Sequence, residues 1–111
     1  ILKSKQFLEE RGVELEIMSM PSPWQVSNVW REEKRLFESF ASERKSYNLK
    51  EFDFGKPERR LEKFAKDNDI DFYSLYNRKE ELGSPYFFDS VDHWNEKGHK
   101  FVADFVRAKL M

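Results

Sequence analysis

The 111-residue chain contains no cysteine, which excludes disulfide scaffolds, thiolate nucleophiles and cysteine-based metal sites. No apolar run approaches the roughly 20 residues that a membrane-spanning helix needs. The chain has 20 basic and 21 acidic side chains, so the charges nearly cancel. Since nucleic-acid-binding proteins usually carry a basic excess, this balance indicates that nucleic acid is not a partner.

Large apolar side chains, by contrast, are plentiful. Eleven Phe and three Trp can fill a core, which argues against disorder. The length fits one small domain or a piece of a larger one. The chain begins with Ile inside a stretch of helical composition. We therefore expect that its natural N-terminus has been lost and that residues 1–111 are the C-terminal portion of a single larger domain.

Hydrophobic periodicity and turn residues predict four helices and two strands. The helices are expected over 1–12, from about Val29 to Ser42, from near Pro57 to Asn68, and from an N-cap at Asn95 to the C-terminus. The strands are expected over 13–20 and 70–76, with Met18 and Met20 buried. Pro21 and Pro23 predict a loop that is neither helix nor strand. Asn28 is predicted to be a helix cap.

The order of these elements favours an α/β layer structure with about two parallel strands and four helices. Two parallel strands do not form a stable sheet alone, which again favours a fragment of a larger α/β domain. In the last helix, Phe101, Phe105 and their apolar neighbours fall on one face, centred near Gly98. The missing side chain of Gly98 predicts that this helix start closely approaches a sheet.

Both histidines lie in residues 88–99, FDSVDHWNEKGH, which we call the histidine segment. A histidine that follows a parallel strand lies at the sheet edge where open α/β folds bind ligands. A carboxylate can hold one imidazole nitrogen and leave the other free as a general base. Asp89 reaches His93 if the loop folds back, whereas Asp92 is adjacent and points away unless the turn is tight. Asp89 is preferred as the acid.

Three further interpretations concern the same segment. Trp94 is expected to pack behind the histidine rather than to line a substrate pocket. His99 is expected to brace the loop. The spacing H-x5-H differs from the i, i+4 pair of helical zinc sites, so no metal is predicted.

Residues 87–106, FFDSVDHWNEKGHKFVADFV, resemble the C-terminal block of SGNH (GDSL-like) hydrolases, and residues 12–26 and 68–77 resemble upstream pieces of that family. The resemblance implies a three-layer, flavodoxin-like α/β fold. It implies a serine-dependent ester hydrolase that acts without a cofactor on a small-molecule or carbohydrate ester. It further implies that His93 is the catalytic base and that the parent protein is extracytoplasmic or membrane-anchored.

The chain also departs from the family pattern. The family's acid usually stands three or two residues before its histidine, where this chain has Ser90 and Val91. No GDS or GxSxG motif occurs, and Ser22 and Ser84 are predicted loop residues. We therefore expect the nucleophile to lie outside this chain, which alone should be inactive. Two alternatives stay open: a polysaccharide O-acetyltransferase of the same fold, and a non-catalytic binding or envelope module.

Overall fold

The computed structural model describes residues 1–32, 52–88 and 93–110. These residues form a mixed α/β structure with two parallel strands, in agreement with the predicted class. The α-helices are α1 (Leu2–Glu9), α2 (Pro23–Val26), α3 (Asn28–Glu32), α4 (Lys56–Asp67) and α5 (Glu96–Leu110). The strands are β1 (Glu16–Ser19) and β2 (Asp71–Ser74), and two 3-10 helices span Leu75–Arg78 and Ser84–Tyr86.

The two strands pair in parallel, with Glu16 opposite Asp71 and Ser19 opposite Ser74. Each strand is shorter than predicted. The first ends at Ser19, because the buried Pro21 that follows has no N–H to donate to a ladder. Met20 is 44% exposed, so the prediction that it would be buried was wrong.

The proline-rich connection after β1 is not the helix-free loop that was predicted. Helix α2 begins at Pro23, where the missing N–H costs nothing because the first-turn amides have no partner within the helix. The Gln25 side chain holds this turn by accepting a hydrogen bond from the Ser22 N–H at 2.9 Å. At the next helix, the Ser27 hydroxyl accepts from the Trp30 N–H at 3.4 Å. Ser27, and not the predicted Asn28, therefore caps α3; the predicted extension to Ser42 lies outside the described residues.

Helix α4 confirms its sequence prediction closely. Pro57 lies in the first turn, and the Asn68 side chain ends the helix by donating to the Phe64 carbonyl oxygen at 2.7 Å. Ala65 and Ile70 are buried where the helix returns into β2. Besides Pro21 and Pro23, the buried apolar side chains among the described residues are Trp30, Ala65, Ile70, Leu75, Leu82, Phe87 and Phe105.

Helix α5 packs on the connection that follows β2. The rings of Tyr86 and Phe101 meet edge to face at 5.4 Å, and the Arg78 guanidinium lies 4.8 Å from the Phe101 ring centre. A Cβ at Gly98 would overlap the Tyr86 carbonyl oxygen and lie 2.6 Å from Trp94 Cε3. The close approach predicted from this glycine is therefore real, but it is made to a 3-10 turn and an indole ring rather than to a sheet.

No helix in the described part of the chain is both long enough and apolar enough to cross a bilayer. This agrees with the expectation from the sequence for the residues that the structure covers.

Candidate functional site

The histidine segment is closed at its base by backbone pairing. Phe87 and Trp94 form an isolated antiparallel bridge, and the Phe88 N–H donates to the His93 carbonyl oxygen at 3.0 Å. Both contacts join residues that are only five to seven positions apart, so local sequence alone can form them. They fix the main chain at His93 relative to the end of the 3-10 turn.

Asn95 secures the exit from this loop. Its side-chain nitrogen donates to the carbonyl oxygens of Pro85 at 2.8 Å and Phe87 at 3.0 Å. Its side-chain oxygen accepts from the Gly98 N–H at 2.9 Å, which is the N-cap hydrogen bond of α5. The predicted cap is confirmed, and the same amide also binds the preceding turn. The start of α5 and the loop before it are thereby held as one unit.

Trp94 packs beneath the loop. It is half-buried, and its ring lies 4.7 Å from the Phe87 ring at an interplanar angle of 49°. On its other side it contacts the backbone of Gly98. The indole thus supports the segment from the side of the core.

The His93 side chain is exposed. Among the described residues its imidazole has no hydrogen-bond partner. The two candidate acids, Asp89 and Asp92, lie outside the described residues. Their pairing with His93 stays a prediction.

His99 is also exposed and lies in the first turn of α5. Its main-chain N–H donates to the Asn95 carbonyl oxygen at 2.9 Å. Its proposed bracing role stays a prediction. Within residues 1–32, 52–88 and 93–110, no group of three His, Asp or Glu side chains is placed to hold a metal ion.

A second polar group, which the sequence analysis missed, lies where β1 and β2 end. Glu58 of α4 accepts hydrogen bonds on one oxygen from the hydroxyls of Ser74, at 2.8 Å, and of Ser19. We call these three residues the strand-end cluster. Ser19 and Ser74 are register partners, each 9% exposed, and Glu58 is 7% exposed. Glu58 also stands in the first turn of its helix, where the helix dipole favours a negative charge.

The sequence does carry a faint signal for Glu58. It lies three residues before Leu61 and seven before Ala65, a spacing that places it on the inward face of α4. An acidic residue in an apolar stripe predicts a buried partner. The identity of that partner depends on strand register, which the sequence pattern did not fix.

An open cavity of about 550 Å³ lies over the strand-end cluster. Its walls combine charged, amide and aromatic side chains. The lining residues are Gln25, Phe52, Asp53, Phe54, Gly55, Glu58, Arg59, Glu62, Phe72, Ser74, Tyr76, Asn77 and Lys79. None of the described residues that line it belongs to the histidine segment, so the structure does not bring His93 into this cavity.

An ion pair lies at the rim of the cavity. The Arg59 guanidinium donates to the Asp53 carboxylate, and this hydrogen bond is the main reason that the pKa of Asp53 is lowered from 3.8. The same contact raises the pKa of Arg59. Both side chains are exposed, so solvent screens the pair, and its contribution to stability is small.

A shallower depression of about 620 Å³ flanks the histidine segment itself. It is lined by Phe88, Asn95, Glu96, Lys97 and Lys100. Phe88 is 51% exposed there. The accessible surface next to His93 therefore combines an aromatic ring with two lysines.

Comparison of the chain with protein-family models, with curated proteins and with solved structures gives no match. The family resemblance therefore stays a prediction from the sequence.

Proposed function

We propose that residues 1–111 supply the histidine and aspartate half of the catalytic triad of an SGNH-type serine ester hydrolase with a three-layer α/β fold. His93 is the general base and Asp89, in preference to Asp92, the orienting acid. The observation that carries the proposal is the placement of His93. Its imidazole is exposed, while Asn95 and the Phe87–Trp94 bridge hold the backbone around it in the connection that follows β2.

In the proposed reaction, His93 takes the proton of a serine hydroxyl as the serine oxygen attacks the carbonyl carbon of an ester. The tetrahedral intermediate collapses, and the imidazolium returns the proton to the departing alcohol. Water then attacks the acyl-serine with His93 again as base, which releases the carboxylic acid and restores the serine. An aspartate on the other ring nitrogen stabilises the imidazolium that forms in each half-reaction.

The proposal needs a nucleophile from outside these 111 residues. Ser19 and Ser74 are buried and donate to a carboxylate instead of a histidine. Ser22 occupies the N-cap of α2 and Ser84 begins a 3-10 turn. Ser74 does lie where a strand meets a 3-10 helix, but it is buried, whereas the strand-to-helix turn of these hydrolases exposes its serine.

Two related functions share this scaffold. An O-acetyltransferase passes the acyl group to a sugar hydroxyl instead of water, with the same acyl-serine step. A non-catalytic binding module is favoured by one specific observation, the presence of Ser90 and Val91 at the two positions where the family has its acid.

The test is His93→Ala in a protein that joins this segment to its serine-bearing portion. With p-nitrophenyl acetate as substrate we expect kcat to fall by several orders of magnitude while the fold is retained. His99→Ala, which removes the neighbouring exposed imidazole, is the matched control and should retain most of the rate. Retention of a tenth of the rate by His93→Ala would remove His93 from the mechanism.

Two further measurements separate the alternatives. Asp89→Asn and Asp92→Asn should differ, with the larger loss of kcat identifying the acid. The 111-residue chain alone should hydrolyse p-nitrophenyl acetate at the buffer rate. Product analysis with a sugar acceptor distinguishes acyl transfer from hydrolysis, and absence of both activities in the joined protein would favour the binding module.

A further inference from the structure

Glu58 presents one fixed carboxylate oxygen to the cavity above the strand ends. Its Oε2 atom accepts both serine hydroxyls, whereas Oε1 has no hydrogen-bond partner among the described residues. In the same part of the chain, every side-chain oxygen or nitrogen that is shielded from solvent has a partner. Oε1 is therefore accessible, and since Glu58 is only 7% exposed and lines the cavity, this oxygen opens into it.

The two serines restrict the carboxylate to one orientation. Ser19 and Ser74 stand side by side on paired strands, so their hydroxyls approach the same oxygen from a rigid base. A ligand that donates a hydrogen bond to Oε1 need not order this side chain first. Preorganisation of this kind favours binding because less conformational entropy is lost.

The charges around the cavity select against an ionic ligand. A cation attracted to Glu58 would also meet the Lys79 ammonium, and an anion would meet Glu58 and Glu62; Arg59 and Asp53 already pair with each other. A ligand with hydroxyl groups satisfies both kinds of wall, because each hydroxyl donates to a carboxylate and accepts from a cation or an amide.

The remaining walls are aromatic. Phe54 and Tyr76 line the cavity, and the Lys79 ammonium lies 4.9 Å from the Tyr76 ring centre. Asn77, next along the chain, adds an exposed amide that both donates and accepts. Such a cavity suits a molecule that has an apolar C–H face and hydroxyl groups at its edge. The face can pack on an aromatic ring while the hydroxyls bind the carboxylate and amide groups.

We propose that this cavity binds a neutral saccharide, with Glu58 Oε1 accepting a hydrogen bond from a sugar hydroxyl and the ring of Tyr76 packing against its apolar face. The volume of about 550 Å³ lies within the range of roughly 300–1,000 Å³ typical of small-molecule sites. The site does not include His93 and requires no catalytic serine. Failure of the proposed ester hydrolysis would therefore not contradict saccharide binding, and the reverse also holds.

The experiment is a titration of the ¹⁵N-labelled 111-residue chain with maltotriose, cellotriose and N-acetylated chitotriose, followed by amide chemical shifts. At least one trisaccharide should produce saturable shifts at Gly55 and Asn77. Choline and glucuronate are the charged comparison ligands and should bind at least tenfold more weakly. Failure of all three trisaccharides to bind, or tighter binding of either charged ligand, would overturn the proposal.

Variants locate the site. Glu58→Gln replaces the free oxygen or its neighbour with a donor NH₂ group and should weaken binding about tenfold, the effect of losing one charge-assisted hydrogen bond. Asn77→Ala, at an exposed rim position that does not endanger the fold, should weaken it several-fold. The control Glu80→Gln changes an exposed carboxylate outside the cavity and should leave the affinity unchanged. Equal affinity of the wild-type and Asn77→Ala chains, together with shifts elsewhere on the surface, would also contradict the proposal.

Discussion

The strand-end cluster and the histidine segment are two polar groups built in opposite ways. The cluster is buried and joins three elements, and Ser19 and Glu58 are 39 positions apart along the chain. The segment is exposed at His93, and the described contacts that hold it to the preceding turn join residues at most twelve positions apart.

This difference determines how much stability a substitution in each group costs. In the cluster, removal of one partner leaves a largely buried hydroxyl or carboxylate oxygen with one hydrogen bond fewer, and that loss is costly. In the segment, the His93 side chain is already exposed to solvent, and stability depends on the backbone pairing and on Asn95. An exposed side chain such as that of His93 can therefore be substituted with little effect on folding.

The largest effect is expected where the segment meets its support. Gly98→Ala should destabilise the fold by about 2–4 kcal/mol, because the new methyl group overlaps the Tyr86 carbonyl oxygen and the Trp94 ring. Urea denaturation measures the loss. Gly83→Ala is the control, since its Cβ would find only Pro85 Cδ at 3.7 Å, an ordinary contact. Similar stability of the two variants would show that helix α5 can shift away from the turn.

The next effect concerns the cluster. Glu58→Ala should cost about 2–3 kcal/mol because two buried hydroxyls lose their acceptor. Glu62→Ala, an exposed acid on the same helix, should change the free energy of unfolding by less than about 0.5 kcal/mol. In a Ser19→Ala and Ser74→Ala background, the cost of Glu58→Ala should shrink, and additive costs would contradict a shared network.

A smaller loss is expected at the loop exit. Asn95→Ala removes the cap of α5 and both hydrogen bonds to the turn, and should cost about 1–2 kcal/mol in urea denaturation. Asn95→Ser keeps a capping oxygen but lacks the amide donors, so it should recover part of that loss. Asn28→Ala serves as the control because Ser27 supplies the cap there. Equal stability of the Ala and Ser variants would assign the whole effect to the turn.

The smallest effect lies at the exposed rim of the cavity. Because the pKa of Asp53 is lowered in the folded chain, its contribution to stability is present above the unfolded pKa and is lost as the pH falls through the lower, folded value. Arg59→Gln should raise the carboxyl pKa of Asp53 toward 3.8 in an NMR titration. Arg60→Gln, at the adjacent exposed position, should leave it unchanged. An Asp53 pKa that stays low without Arg59 would refute this pair as the cause.

Local sequence patterns predicted the ends of helices best where a single side chain determines the local backbone conformation. Pro57 and Asn68 bound α4 and Asn95 caps α5, because these side chains act on the backbone within a few positions. The same rules misplaced Pro23, whose fixed backbone angle suits the first turn of a helix as well as a loop. They also placed the cap of α3 one residue too late, at Asn28.

The candidate sites divide along the same line. The histidine segment was recognisable because its residues are contiguous, whereas the strand-end cluster needs the register of β1 against β2 before its members meet. Hydrophobic alternation is strong enough to identify a strand but cannot decide which residue of another strand lies opposite. Gly98 illustrates an intermediate case, since the sequence indicated a close approach without revealing its partner.

Ser19 and Ser74 also favour the observed register of β1 against β2. Side chains alternate between the faces of a strand, so slippage by one residue would turn one hydroxyl away from Glu58 and present a neighbour of different chemistry. For β1 that neighbour is methionine on either side, and no thioether or methyl group can satisfy a buried carboxylate. Misaligned pairing would therefore leave Glu58 with only one of its two hydroxyl donors, and the correctly aligned sheet is favoured by that penalty.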